Sequence, residues 1–477
     1  MLEQVQSVFA RVLKIDNFSL TDSFLELGGN SLMGYELLNS MEEKFHVKLD
    51  LREILLDSSV MGITNYISSM LVGDKTIRKR KDLTSECVLD PSIAVDKPYE
   101  KTVPQCSRIL LTGATGFLGA HLIGSLIRQH QNEDLRIYCL IRAESDEAAK
   151  KRLIKKMKEL GCWRESYEKY IWPVCGNLSS ERLGVAPSVW KFLTEEIDTV
   201  IHNGALLNFV FPYDFLKQTN VNGTIETLRL ACEGTPKYYH YVSSYSVFDT
   251  PENLGKHVSE DDPLNNAKGF SLAYSETKWV SEKLVNIAKE RGLQAVIYRP
   301  GDIVGAADGI WAVEDMVSRT ITGIIQMKCV PRSTYCMQMT PVDYVGEAIA
   351  CISRKPEAIG QAFHIINPRP TSLNHLAAMI RRCGYTLRNI PFVVWRKMLK
   401  DADETTNSLV LLECLFEQGT EQNPGFLRHF VGKNTTYDTR NTQLLLNNSG
   451  ITCPQITTKM VKAYLKYFVK LGVIERP

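Results

Sequence analysis

Apolar residues recur at helical spacing along the first seventy positions of the chain. Val5, Val8, Phe9, Val12 and Leu13 fall on one face of a first helix. A polar, turn-rich stretch from Asp16 to Thr21 follows, then Phe24, Leu25, Leu27 and the pair Gly28-Gly29. Asn30-Ser31 opens a second periodic segment whose apolar face is Leu32, Tyr35, Leu38 and Met41, and a further helix is expected near Val60 to Leu71. Together these predict a small helical bundle over residues 1–73, short for a domain but of a size at which bundles fold alone.

Residues 74–106 lose this periodicity. Lys75, Arg78, Lys79, Arg80 and Lys81 form a basic cluster, prolines follow at 91, 98 and 104, and the segment reads as a linker or loosely attached arm. From Ser107 the pattern alternates between short apolar runs and amphipathic ones. Arg108 to Leu111, Leu135 to Ile141, Thr199 to His202, His240 to Val242 and Ala295 to Tyr298 are expected as strands. Helices are expected between them, including one through Leu126 and a charged one from Ala148 to Leu160. Such alternation implies a doubly wound parallel sheet with ligands at the carboxyl ends of its strands. That part runs over about 107–305. Regularity weakens beyond Gly305, where a lobe of helices and short strands is expected over about 306–477.

Composition narrows the function classes. A net charge of +2 over 477 residues argues against a dedicated nucleic-acid binder, whose footprint is strongly basic. The balance is uneven: residues 1–73 hold ten acidic against five basic residues, a charge of −5, so the remainder carries about +7. Charge of opposite sign on two parts of a chain can steer them together. The twelve cysteines include no C-x-x-C pair, and no zinc-like spacing with histidine occurs, so no metal site is expected. The start of the chain lacks the basic-then-apolar pattern of a signal peptide, and no apolar run reaches membrane-spanning length. The expectation is a cytoplasmic protein with reduced thiols, bound neither to membrane nor to nucleic acid.

Between the first strand and first helix lies Thr112-Gly113-Ala114-Thr115-Gly116-Phe117-Leu118-Gly119. Glycines at this spacing allow a tight turn, close approach of backbone to a pyrophosphate, and close helix–strand packing. The helix start then offers free N–H groups to phosphate. The second strand ends Leu140-Ile141-Arg142, with an arginine where a ribose-binding acid would favour NAD. Arg142 points to the 2′-phosphate of NADPH, and Arg152 in the following helix is a second candidate contact.

Tyr274-Ser275-Glu276-Thr277-Lys278 sets a tyrosine and a lysine four apart on one helix face. A nearby ammonium is expected to lower the tyrosine pKa and ready it for proton exchange with a substrate oxygen. Ser243-Ser244 follows a strand ending in Val242. With the glycine turn upstream, this resembles the extended short-chain dehydrogenase/reductase family, a Rossmann-type fold. The resemblance implies a catalytic set of Ser244, Tyr274 and Lys278, with Ser243 and Ser246 as less favoured hydroxyls. It implies further cofactor contacts. Asn203-Gly204-Ala205 resembles the turn lining the cofactor, and Arg299-Pro300-Gly301-Asp302-Ile303 the segment flanking the nicotinamide, whence Pro300 and Ile303. Gly176-Asn177-Leu178 stands where relatives have Gly-Asp-Leu beside adenine, with Asn177 departing from the pattern.

Leu27-Gly28-Gly29-Asn30-Ser31-Leu32 resembles the peptidyl-carrier motif, whose serine bears 4′-phosphopantetheine. The alternative reading of Ser31 is an ordinary helix cap. A carrier followed by an extended reductase resembles the C-terminal end of carboxylic acid reductases, aminoadipate reductases and reductive-release peptide synthetases. Pro341 to Val345 fits their shared late segment. The resemblance implies that NADPH delivers hydride to an acyl or aminoacyl thioester tethered at Ser31. Ser244 and Tyr274 meet the oxyanion, Lys278 holds the cofactor ribose, and an aldehyde leaves, or an alcohol after a second hydride. It also implies a phosphopantetheinyl transferase and an upstream adenylation domain as partners. Other readings share part of the pattern: an extended-family epimerase or acyl-CoA reductase, or a redox-inactive release or cyclisation domain.

Overall fold

The computed structural model describes residues 1–72, 81–99, 106–130, 134–313, 315–402, 407–416 and 428–477. The bundle has four helices: α1 (Leu2–Leu13), α2 (Ser31–Phe45), α3 (Leu51–Leu56) and α4 (Val60–Val72). All five apolar positions expected in α1 are buried. In α2, Tyr35 and Met41 are buried as expected, Leu37 is buried too, and Leu38 is only half-buried. The side chains of Ser31 and Leu32 lie outside the described residues. The short α3, which periodicity alone did not reveal, brings Leu51, Ile54 and Leu55 to the same core. That core is continuous with the core of the C-terminal lobe, where α2 meets the turn Val410–Phe416.

Seven parallel strands form the central sheet: β1 (Arg108–Thr112), β2 (Arg136–Ile141), β3 (Ile171–Cys175), β4 (Thr199–His202), β5 (Tyr238–Val242), β6 (Ala295–Tyr298) and β7 (Ala362–Phe363). Their order across the sheet is β7-β6-β5-β4-β1-β2-β3. The order reverses at β1, where such sheets open a ligand crevice. Strand period decides the two faces. Ile109 and Leu111 of β1, with Ile137, Cys139 and Ile141 of β2, pack under α5 (Phe117–His130), α6 (Asp146–Glu159) and a later helix, Val342–Ile352. Leu110, Tyr138 and Leu140 point the other way, to α7 (Pro187–Glu196), α9 (Gly223–Cys232) and α10 (Ala273–Glu290). A five-residue helix, α8 (Tyr213–Lys217), precedes α9. The lobe beyond Gly305 is built on Trp311, Trp395, Tyr464 and Phe468, packed with α11 (Met316–Gln326) and the last helix, Thr458–Lys470.

The stretch expected as a loose arm differs in its described part. Residues 75–80 of the basic cluster and Pro104 lie outside the described residues. Over 81–99, however, Leu83, Leu89 and Ile93 are buried against the α10 face of the sheet. Arg291, at the end of α10, donates to the carbonyls of Leu89, Asp90 and Ile93. Glu86 accepts from Lys81 and from Lys217 of α8. Three apolar anchors and three carbonyls held by one guanidinium make this segment a strap; a composition rich in proline and charge concealed the anchors.

Among the described residues no helix is long and apolar enough to cross a membrane. No group of three or more His, Cys, Asp or Glu residues among them could hold a metal ion.

Candidate active site

The glycine turn sits at the carboxyl end of β1. Gly113 has φ +69°, and a Cβ there would lie 2.7 Å from the Cα of Gly204. One on Gly119 would lie 2.0 Å from the Gly113 carbonyl oxygen, so only glycine lets α5 seat this close to the turn. Thr112 ties the floor together. Its hydroxyl pairs with His202 Nδ1 at 2.8 Å and accepts from Gly204 N at 2.9 Å. Asn203 Nδ2 donates to the Gly113 carbonyl at 3.3 Å. Gly116 is exposed and Thr115 half-buried, so the turn is open on its outer side. There the first N–H groups of α5, which lack partners within the helix, face outward to a ligand. The cradle fits a dinucleotide phosphate.

Toward the sheet edge, Arg142 follows β2 and is exposed. Arg152 of α6 is also exposed, and its Nη1 donates to the Arg142 carbonyl at 2.6 Å, which brings the two arginines together. Asn177 follows β3; its side chain accepts from Ser179 N, and its own N–H donates to the Leu183 carbonyl. Leu178 lies against Gly204 and Gly223, one strand nearer the centre.

On the other side of the turn a cavity of about 580 Å³ opens between sheet and lobe. Phe117, Leu118, Asn203, Ser244, Tyr274, Lys278, Pro300 and Ile303 all line it. Thr112, Gly113, Thr115, Gly116, Arg142, Arg152, Asn177 and Leu178 are not among its walls; they continue the edge toward β3.

Ser244 precedes a single turn, Tyr245–Phe248, and its hydroxyl accepts from Ser246 N at 3.2 Å and Ser246 Oγ at 2.9 Å. Both contacts use its lone pairs, so its own hydrogen is free for an oxygen in the cavity. Ser246 therefore orients Ser244. Ser243 is committed elsewhere, donating to Glu282. Tyr274 is the second residue of α10 and Lys278 lies one turn on, 3% exposed. Lys278 Nζ donates to the Val242 carbonyl at 2.7 Å and lies 4.9 Å from the centre of the Tyr241 ring. Burial pushes this ammonium down to about 7, opposed by the charge of Glu282. The tyrosine corrects the expectation. Burial pushes the Tyr274 phenol above its ordinary range, with no lowering from Lys278. The lysine's charge is directed at β5, and desolvation disfavours phenolate. A phenol held neutral is suited to giving a proton.

The lobe supplies walls that the sequence did not single out. Asp302 accepts from Tyr245 Oη at 2.8 Å and from Gln338 N at 2.8 Å. Asp249 pairs with His429 at 2.9 Å. Asp315 caps α11 through Val317 N and Ser318 N and holds Trp311 Nε1 at 2.6 Å; burial pushes its carboxyl up to about 6. An aspartate just before an apolar helical run was the one visible signal, and it marks a helix start rather than a cavity.

Residues 3–67 match the family described as the phosphopantetheine attachment site. Residues 111–349 match the NAD-binding family described as male sterility protein. Over 83% of this chain and 98% of its own, the terminal R domain of the myxalamid polyketide–peptide pathway superposes with TM-score 0.75 at 35% identity. The chain belongs to the carrier–thioester reductase didomains. A linear gramicidin synthase of Brevibacillus parabrevis is 33% identical over 97% of this chain, which spans 9% of that synthase. A thiolation-reductase didomain from an archaeal peptide synthetase has the same fold, with TM-score 0.70 at 21% identity over 99% of this chain and 97% of its own. In the didomain frame the cap of α2 acquires meaning. Asn30 is the cap, accepting from Met33 N at 3.0 Å, so Ser31 is the first helical residue and does not serve as the cap. A Cβ on Gly29 would lie 2.3 Å from the buried Phe24 ring, which explains the glycine pair by close approach.

Proposed function

We propose that this didomain releases an acyl group from its own carrier by NADPH-dependent reduction of the phosphopantetheine thioester to an aldehyde. One observation carries the reading: the end of the glycine turn and the Ser244–Tyr274–Lys278 set open into a single cavity, on a chain that begins with a carrier bundle. NADPH, when bound along this edge, supplies the hydride. Gly113, Thr115 and Gly116 and the N–H groups of Phe117 and Leu118 take the pyrophosphate, above the floor that Thr112 fixes. Asn177 and Leu178 flank the adenine, Arg142 with Arg152 takes the 2′-phosphate, and Asn203, Pro300 and Ile303 border the nicotinamide end. Tyr274, kept neutral by burial, gives its proton to the thioester oxygen as charge develops there. Ser244 is the second donor, and Lys278 holds positive charge and a ribose contact beside them.

The partners follow from this chemistry. A phosphopantetheinyl transferase would install the arm on Ser31, and an upstream adenylation domain would select and load the acyl group. The reductase unit would begin near residue 81, because the strap is anchored to α8 and α10.

The test uses Ser31→Ala on the full chain. Transferase treatment followed by mass spectrometry should show the arm on wild type and none on the variant. The variant should lose reduction of a carrier-bound acyl group yet still oxidise NADPH with a free pantetheine thioester, since tethering acts only by raising local concentration to about the millimolar range. Modification of the variant as in wild type would overturn the carrier assignment.

A further inference from the structure

The hydroxyl of Ser243, next to Ser244 in the chain, donates to Glu282 Oε2 at 2.6 Å. Glu282 is wholly buried on α10, one helical turn beyond Lys278. Its Oε1 accepts from Arg299 Nη2 at 2.6 Å and Nε at 3.1 Å. Arg299, itself 4% exposed, follows β6 just before Pro300. Its Nη1 donates to the Glu260 carbonyl at 3.0 Å, and its guanidinium lies 4.8 Å from the centre of the Phe248 ring. One carboxylate thus joins the end of β5, the helix bearing Tyr274 and Lys278, and the end of β6.

Stability alone does not explain such a pair. Desolvation makes a buried ion pair no better than well-packed apolar residues of similar volume. The groups around Lys278 suggest another reason. From β4 comes His202, which burial pushes down to about 3 and leaves neutral. From β5 come the Tyr241 ring and the Val242 carbonyl, and from its own helix Tyr274 and Glu282. From the end of β6, Arg299 reaches the far side of Glu282. Of these only Glu282 is negative, and it opposes the loss of the lysine's proton.

We infer that Glu282 is a positioning residue of the reductive site: it supplies the counter-charge to Lys278 and holds Ser243–Ser244 and Arg299–Pro300 in register around the cavity. This rests on the proposed roles of Ser244, Tyr274 and Lys278. The test reads Lys278 directly in the full chain. Acetic anhydride labelling of Lys278, followed by mass spectrometry across pH, gives the midpoint at which its amine becomes reactive. Glu282→Gln should move that midpoint down by about one pH unit, in line with loss of a nearby opposite charge. Glu282→Asp, which keeps the charge at shorter reach, should fall between the two. The fall in kcat at high pH should move in parallel, measured as NADPH oxidation with a pantetheine thioester. A folded Glu282→Gln chain with the wild-type labelling midpoint overturns the inference. If that variant is recovered unfolded, a wild-type midpoint in Glu282→Asp overturns it instead. A wild-type chain that reduces no thioester would defeat the proposed function alone, because the labelling still decides the role of Glu282.

Discussion

The two ends of the cofactor edge are built differently. At the cavity end, Lys278 is buried and Ser244 and Tyr274 are partly enclosed; Lys278 is held by the end of β5, and Ser244 by the turn that follows it. At the sheet-edge end, Arg142 and Arg152 are exposed, and the bond between them runs from a guanidinium to a backbone carbonyl ten residues away. Burial at one end sets protonation states, taking Tyr274 up and Lys278 down. Exposure at the other leaves the arginines as solvated charges that discriminate one phosphate. Chemistry that moves a proton needs a dry, fixed frame, whereas recognition of a phosphate works at a wet rim.

That contrast can be broken by substitutions at each end. Tyr274→Phe should have the largest effect, lowering turnover by about two orders of magnitude or more while NADPH affinity stays near wild type, since a general acid contributes on that scale. Stopped-flow reduction alongside a fluorescence titration of NADPH separates the two; near-normal turnover would put the proton donor elsewhere. Arg142→Ala should act in the opposite sense. NADPH affinity should fall roughly ten- to a hundredfold and NADH affinity little, because charge-assisted bonds to the 2′-phosphate are worth about 1.5–3 kcal/mol. Equal weakening of both cofactors would remove Arg142 as the discriminator. Arg152→Ala should have the smallest effect, roughly a two- to fivefold loss of NADPH affinity, since exposed charges contribute about 1 kcal/mol or less. A loss as large as that of Arg142→Ala would make Arg152 the main phosphate ligand.

The fold was legible where local pattern and tertiary environment agree. Four of the seven sheet strands were readable almost to their ends, because strands buried on both faces are continuous apolar runs. The strand β5 was foreshortened, its start at Tyr238 hidden in a run of tyrosines. Two strands were missed. Ile171–Cys175 contains Pro173, which argues against a central strand but is tolerated at an edge, and β3 is the edge. Ala362–Phe363 is two residues long and pairs only because β6 lies beside it. The strap over 81–99 was missed for a related reason: its three apolar anchors are too far apart to make a period, and their partners lie on α10 and the sheet.

The sequence by itself determined the glycine turn, the Tyr274–Lys278 pair and the serine at the head of α2, since each rests on spacing within a few residues, and spacing fixes local geometry. Tertiary structure alone decided which serine hydroxyl is free, which way Lys278 directs its charge, and whether Tyr274 is made more or less acidic. Those depend on Ser246, the Val242 carbonyl, Glu282 and the depth of burial, and no local pattern reports the dielectric and partners that a folded chain places around a side chain.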